Sequence, residues 1–86
     1  MAEMAIPELF HRLEEETSAR VRRWVVDHEL VARVRFRNVT YPEPAAALAA
    51  HGGGATPALW DGTRLFTGAE AVIARLEALL DVGRTD

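Results

Sequence analysis

The absence of cysteine is the feature that most constrains how this chain can fold. A domain of 86 residues lies near the lower end of what can bury a self-sufficient core. Without cysteine it has no disulfide and no thiolate metal site to reinforce that core. Packing alone, or packing together with oligomerisation as a homodimer, must therefore hold the fold. We expect one domain over residues 1–86, with flexible ends at 1–5 and 82–86.

Composition and charge exclude several classes of protein. The chain is 49% hydrophobic and 27% charged, which is ordinary for a folded globular domain. Its net charge is −3, so no overall field attracts nucleic acid or anionic lipid. Every basic residue is arginine, a bias that we associate with GC-rich bacterial coding. No apolar run approaches the ~20 residues that span a bilayer. We therefore expect a cytoplasmic protein with no membrane contact.

The first half of the chain alternates between strand and helix patterns. The run from Ile6 to His11 predicts a short strand that begins after or around Pro7. Acidic and hydroxyl residues at 14–18 then mark the start of a helix. Its apolar stripe consists of Val21, Trp24, Val25 and His28. Val34 and Phe36 then alternate with Arg33, Arg35 and Arg37. This period of two predicts a second strand.

A proline-rich break, a short helix and a hairpin come next. Residues 41–44 break the chain, and Ala45 to Ala50 predict a short helix that ends at His51 before three glycines. Asp61-Gly62 lies between two apolar runs, which is a strong β-hairpin signal. We therefore expect the last two strands to be antiparallel.

The last helix is the most clearly marked element. Val72, Ile73, Leu76, Leu79 and Leu80 form one apolar face, and the helix is expected to end near Gly83. The complete order is β-α-β-α-β-β-α. It predicts an α/β fold in which a four-stranded mixed sheet, with one parallel pair and one antiparallel hairpin, has helices on both faces.

Three segments, at residues 15–24, 56–59 and 68–72, carry a resemblance that spans most of the chain. In this order and spacing they resemble a thioredoxin-fold domain of the glutaredoxin type, and equally the N-terminal domain of glutathione S-transferases. The first segment stands where these families have C-P-x-C and an arginine-rich helix. The second is similar to their T-V-P segment, whose proline is cis. The third falls where glutaredoxins carry G-G-C-D-D and transferases carry E-S-x-A-I.

The chain departs from these families at the residues that carry their chemistry. Glu15 and Ser18 stand at the two active-site cysteine positions, and Ala69 stands at the position of the transferase serine. Thiol-disulfide exchange by the protein is therefore excluded, and we expect no catalytic residue. The acidic residues 14–16 would repel a thiolate. At a helix start they contribute ~0.3–1 kcal/mol each through the helix dipole. These vestigial positions are interpreted as an acidic cap.

The candidate ligand-binding residues lie on the three segments of the resemblance, and they are Ser18, Thr56, Pro57, Gly68, Ala69 and Glu70. A hydroxyl of Ser18 or Thr17 would be needed for a transferase, but we favour the helix N-cap as its role. The backbone at Thr56-Pro57 binds glutathione in these families and is interpreted either as a peptide-binding ledge or as a structural turn. The amides after Gly68 could hold an anion. Glu70 weakens that site.

The histidines and arginines support weaker hypotheses. His11, His28 and His51 lack metal-ligand spacing, so we expect no metal, and His28 is interpreted as partly buried on the helix stripe. His11 lies beside the vestigial site and is a candidate acid or base without a nucleophile to serve. The arginines at 33, 35 and 37 are interpreted as a solvated strand face rather than a nucleic-acid surface.

These observations lead to two main hypotheses about function. The first is a thioredoxin-fold protein without redox chemistry that acts as a binding or assembly module, with a protein partner or a second copy. The alternative is a transferase-like protein that binds glutathione, a small-molecule thiol, with a hydroxyl in place of cysteine. No other cofactor is expected. A nucleic-acid binder is a third and weaker hypothesis.

Overall fold

The computed structural model of this protein describes residues 6–80. The expected flexible ends and the expected helix end near Gly83 lie outside these residues. The strands are β1 (Glu8–His11), β2 (Arg35–Asn38), β3 (Ala58–Trp60) and β4 (Leu65–Thr67). The helices are α1 (Glu16–Asp27), α2 (Pro42–Ala50) and α3 (Ala69–Leu80), with a 3-10 turn at Val31–Arg33. The predicted order of strands and helices is confirmed.

The four strands form one mixed sheet in the order β2-β1-β3-β4. β1 is parallel to β2, with Leu9 opposite Phe36. β1 is antiparallel to β3, where Leu9 lies opposite Leu59, and β3 is antiparallel to β4. The parallel pair and the antiparallel hairpin that the sequence predicts are therefore both present. β1 is a central strand, so its end is flanked by the ends of two neighbours.

Consecutive residues of β1 belong to two different hydrophobic clusters. Leu9 packs with residues of α1 and α3, including Val21 and Leu76. Phe10 packs with Leu48 of α2 and with Ala58. Because successive side chains of a strand point to opposite faces, the two clusters lie on opposite faces of the sheet. The prediction of helices on both faces is confirmed, with α1 and α3 on one face and α2 on the other.

Four local expectations are wrong, and the first concerns the start of α1. The N-cap residue is Glu15, which makes no side-chain capping bond, and the helix begins at Glu16. Ser18 therefore lies inside the first turn, where it is fully buried. Neither Ser18 nor Thr17 is the N-cap that the sequence favoured, because the chain enters the helix earlier than the run of hydroxyl residues suggested.

The second wrong expectation is the start of α2. The helix begins at Pro42 rather than at Ala45. Proline is compatible with the first turn of a helix, since its fixed φ suits that position and its missing N–H would be unpaired there in any case. The segment 41–44 thus starts the helix instead of breaking the chain.

The third wrong expectation is the continuous arginine face on β2. Arg33 belongs to the 3-10 turn, and only Arg35 is freely exposed in the strand. The side chain of Arg37 is 12% exposed and pairs with Glu8 at 2.8 Å. Its guanidinium also lies over the ring of Phe10. This arginine therefore packs against the sheet instead of standing in solvent.

The fourth wrong expectation is the partial burial of His28, which is exposed. It is the C-cap residue of α1, where its ring lies against that of Trp24 at a centroid distance of 4.2 Å. Within residues 6–80, no helix has the length and apolar character needed to cross a membrane.

Candidate functional site

The candidate site lies at the edge of the sheet where β1, β2 and β4 end and β3 begins. The parallel pairing of β1 with β2 and the antiparallel pairings of β3 place these four ends together. All three helices start from this edge, and each carries a glutamate in its first turn, namely Glu16, Glu43 and Glu70. We call residues 12–15, which connect β1 to α1, the edge loop.

The carboxylate of Glu15 connects the start of α1 to the segment before β3. One oxygen, Oε1, accepts a hydrogen bond from the hydroxyl of Thr56 at 2.7 Å. The same oxygen accepts a short hydrogen bond from the hydroxyl of Ser18. Ser18 Oγ in turn accepts the backbone N–H of Arg12 at 3.2 Å. The two vestigial positions therefore contact each other and one of the ledge residues.

These bonds favour the ionised form of Glu15. Partial burial raises the pKa of the carboxyl group, but the hydrogen bonds from Ser18 and Thr56 and the charge of Arg12 outweigh it, and the pKa is lowered. The crevice between α1 and Thr56 consequently contains a negative charge at neutral pH. A thiolate placed there would be repelled by it.

Arg22 fixes the edge loop from the other side. Its guanidinium donates to the carbonyl oxygen of Arg12 at 2.9 Å and to that of Leu13 at 3.1 Å. It also lies 3.2 Å from Nδ1 of His11. A guanidinium can only donate, so Nδ1 accepts and the ring proton of His11 is on Nε2. One helical side chain thus determines both the path of the loop and the tautomer of the histidine.

His11 is a poor candidate for acid or base catalysis. Only 5% of it is exposed, and its ring packs edge-on against Phe36. Burial lowers the pKa of His11, and the nearby charge of Arg22 lowers it further. The imidazole is therefore neutral at neutral pH, and its Nδ1 is already bound.

The peptide bond between Thr56 and Pro57 is cis, a point that the sequence left open. Pro57 is fully buried, whereas Thr56 is half-buried and Ala55 is exposed. Within residues 6–80, the backbone N–H and C=O of Thr56 make no hydrogen bond to another backbone group. Backbone polar groups are normally paired with protein or water, so these two are available to water or to a ligand.

The third segment is less open to a ligand than the sequence suggested. The N–H of Gly68 donates to the carbonyl oxygen of Pro57 at 2.9 Å, so it is not available to an anion. Ala69 is buried, and Glu70 is exposed. Gly68 has a φ of +99°, a value that favours glycine. The presence of glycine at position 68 is therefore explained by its backbone conformation and by its hydrogen bond to Pro57.

Two exposed apolar side chains at this edge were missed by the sequence analysis. Leu13, in the edge loop, and Tyr41, the N-cap residue of α2, are each 62% exposed. Leu13 stands between a charged residue and three glutamates, so its sequence neighbours indicate a position in solvent. The signal for Tyr41 was its position next to the proline-rich segment. Tyr41 was interpreted only as part of the break at 41–44, and Leu13 was assigned no role.

The remaining histidine, His51, makes structural contacts. His51 stacks on Trp60 at a centroid distance of 3.8 Å and meets Phe10 edge-on. Among residues 6–80 no three histidine, aspartate or glutamate side chains are grouped so as to hold a metal ion.

Comparison with models of known protein families found no match for this chain. Comparisons with curated proteins and with solved structures also found no similar protein.

Proposed function

We propose that this chain is a thioredoxin-like domain that binds an extended segment of a partner protein and performs no redox chemistry. The observation that carries the proposal is that hydrogen bonds hold the edge loop while Leu13 remains 62% exposed. The strand order β2-β1-β3-β4 and the three segments of the resemblance support the thioredoxin-like part.

The geometry of the edge loop supports binding because the loop is fixed before any partner arrives. Arg22 holds two of its carbonyl oxygens, and the carboxylate of Glu15 is bonded to Thr56. A surface that is already ordered loses less conformational entropy on binding. A partner can therefore cover the exposed leucine of this ordered loop with a small loss of conformational entropy.

The neighbours of Leu13 favour an extended segment as the occupant. Along the edge, Tyr41 follows β2, Leu13 follows β1 and Thr56 precedes β3, so the three lie in the order of the strands. The backbone N–H and C=O of Thr56 can pair with one residue of an added strand. Leu13 and Tyr41 can then contact its side chains, which is how strand addition combines backbone bonds with side-chain specificity.

The same geometry disfavours the glutathione transferase alternative. The hydroxyl of Ser18 is fully buried, donates to Glu15 and accepts from Arg12. A hydroxyl that activates a thiol must contact the sulfur of the ligand. Nδ1 of His11 is occupied by Arg22. Neither group is therefore placed to act on a bound thiol.

The proposal is tested with peptides selected from a random library on the wild-type protein. Affinities are then measured by fluorescence polarisation for Leu13→Asp, Tyr41→Asp and the matched control Val26→Asp, which changes an apolar side chain of α1 that is 56% exposed. We expect each edge variant to weaken binding about fivefold or more, as a contact residue does. The control should bind like the wild type.

Equal affinity of all three variants would contradict the proposal. Sedimentation of the same proteins identifies a second copy as the partner if the edge variants alone abolish self-association. Calorimetric titration with reduced glutathione tests the alternative, and saturation at millimolar concentration would favour it over a protein-binding module.

A further inference from the structure

A second concave site lies at the opposite edge of the sheet from the edge loop. It is a cavity of about 380 Å³ between the residues leading into β1, the 3-10 turn and the end of α3. Its apolar walls are Ile6, Pro7, Ala32, Leu79 and Leu80. Small-molecule sites typically measure ~300–1,000 Å³ and have mainly apolar walls with a few polar groups. This cavity is therefore of the size that suits a small ligand.

One of its two charged residues is already neutralised. Asp61 has a side chain only 1% exposed and pairs with Arg75 at 2.9 Å. Its Oδ1 accepts the backbone N–H groups of Thr63 and Arg64 at 2.8 and 2.7 Å. The hydroxyl of Thr63 donates to the same oxygen at 3.0 Å. The carboxylate thus has its hydrogen bonds and its counter-ion within the protein.

The other charged residue supplies the charge that a ligand would meet. Arg33 ends the 3-10 turn and is exposed. Within residues 6–80 it forms no ion pair, since the two described pairs are Arg37 with Glu8 and Arg75 with Asp61. Among the described residues, the cavity therefore combines apolar walls with one guanidinium that lies outside these two ion pairs.

We propose that this cavity binds a small apolar carboxylate, whose hydrocarbon part contacts Leu79 and Leu80 and whose carboxylate pairs with Arg33. Guanidinium and carboxylate form charge-assisted hydrogen bonds, frequently two in parallel, which favours this anion over a neutral or cationic head group. The proposal is independent of the binding function at the edge loop, because the two sites lie at opposite ends of the strands.

The test is calorimetric titration of the full chain with decanoate below its micelle concentration, compared with decanol and decylamine. We expect saturable binding of decanoate that is at least tenfold tighter than that of either analogue. Arg33→Gln should weaken decanoate about tenfold, the loss expected for a hydrogen bond to a charged group. Arg35→Gln changes an exposed arginine that does not line the cavity, and it should leave the affinity unchanged.

Charge reversal at the same position provides a second test. Arg33→Glu should weaken the binding of decanoate further, and decylamine should then bind more tightly than decanoate. The proposal is overturned if decanoate does not saturate below about 1 mM, if decanol binds equally well, or if Arg33→Gln and Arg35→Gln have the same effect. Far-ultraviolet circular dichroism of each variant shows whether the fold is kept, which is expected because both arginines are exposed.

Discussion

Thr56 donates a hydrogen bond of 2.7 Å to the carboxylate of Glu15, a residue 41 positions earlier in the chain. The bond joins the segment before β3 to the N-cap of α1. Because the same oxygen of Glu15 also accepts from Ser18, one carboxylate holds three parts of the candidate site in place. Its removal should therefore affect stability and the shape of the edge loop together.

Glu15→Ala should lower the free energy of unfolding by about 1–3 kcal/mol, since it leaves the buried hydroxyl of Ser18 without its acceptor. Urea denaturation measures the change. Glu15→Gln keeps an acceptor oxygen without the charge and should lose less. Glu14→Ala, at an exposed neighbour, should stay within about 0.5 kcal/mol of the wild type. A similar loss for Glu14→Ala and Glu15→Ala would show that the network has no special role.

The buried histidine should make stability depend on pH. Burial and Arg22 lower the pKa of His11 from its ordinary value of 6.5. The unfolded chain then binds the proton more readily than the folded chain does. The stability that neutral His11 contributes is therefore fully present above pH 6.5 and is lost as the pH falls below that value. Urea denaturation between neutral pH and pH ~5 should show this loss.

His11→Gln should remove that part of the pH dependence, because the glutamine oxygen can still accept from Arg22 but does not titrate. His28→Gln, at the exposed end of α1, is the matched control and should keep the wild-type profile. If both variants retain the loss of stability below pH 6.5, its origin lies outside His11.

Sequence patterns predicted the architecture because the helical periods of α1 and α3 reflect burial. Val21 and Val25 recur at helical spacing and are both fully buried, and the Asp61-Gly62 hairpin is at the predicted place. Element starts were harder to predict. Pro42 is equally compatible with a break and with a helix start. The helix that follows it is packed against the sheet through Leu48, a contact that the local pattern does not specify.

The candidate site was less predictable because it depends on contacts between distant residues. Nothing in the local pattern indicates that Glu15 bonds to Thr56 or that Arg22 reaches back to the edge loop. The exposure of Leu13 and the pairing of Gly68 with Pro57 likewise follow from how the strand ends meet. The resemblance drew attention to residues 15–24, 56–59 and 68–72, but it did not specify the contacts among them.

The ion pair between Asp61, which lines the proposed carboxylate-binding cavity, and Arg75 gives a prediction about acid stability. Burial raises the pKa of Asp61, but hydrogen bonds from Arg64 and Thr63 and the contact with Arg75 outweigh it and lower the pKa from 3.8 to about 2. The stability that the Asp61 carboxylate contributes is present above pH 3.8 and is lost as the pH falls toward 2. Asp61→Asn should destabilise the protein at neutral pH. Because asparagine does not titrate, the variant should then lose less stability than the wild type as the pH falls from 3.8 toward 2.

Arg75→Met is the companion change, because it leaves Asp61 with its hydrogen bonds from Thr63 and Arg64 but without its counter-ion. We expect it to raise the pKa of Asp61 and to shift the acid loss of stability to higher pH, which denaturation at several pH values would show. An unchanged acid profile in Arg75→Met would mean that the hydrogen bonds alone determine the ionisation of this carboxyl group.

Two adjacent glycines before the ledge should respond differently to the same substitution. A Cβ on Gly53 would meet Cδ2 of Leu65 and lie 2.8 Å from Cδ1 of Leu48, which is 2% exposed. Both leucines pack in the cluster around Phe10, so they have little room to move. Gly53→Ala should therefore lower the free energy of unfolding by about 1–3 kcal/mol, as overpacking of a core does.

A Cβ on Gly54 would meet no heavy atom within 4 Å, and Gly54 does not have a positive φ. Alanine there restricts the unfolded chain without a clash, so Gly54→Ala should raise the free energy of unfolding by about 0.4–1 kcal/mol. Urea denaturation of the two variants in the same buffer gives the comparison directly. If Gly53→Ala were as stable as Gly54→Ala, the packing of Leu48 and Leu65 against this segment would be looser than the structure indicates, and the ledge at Thr56 would be less firmly supported.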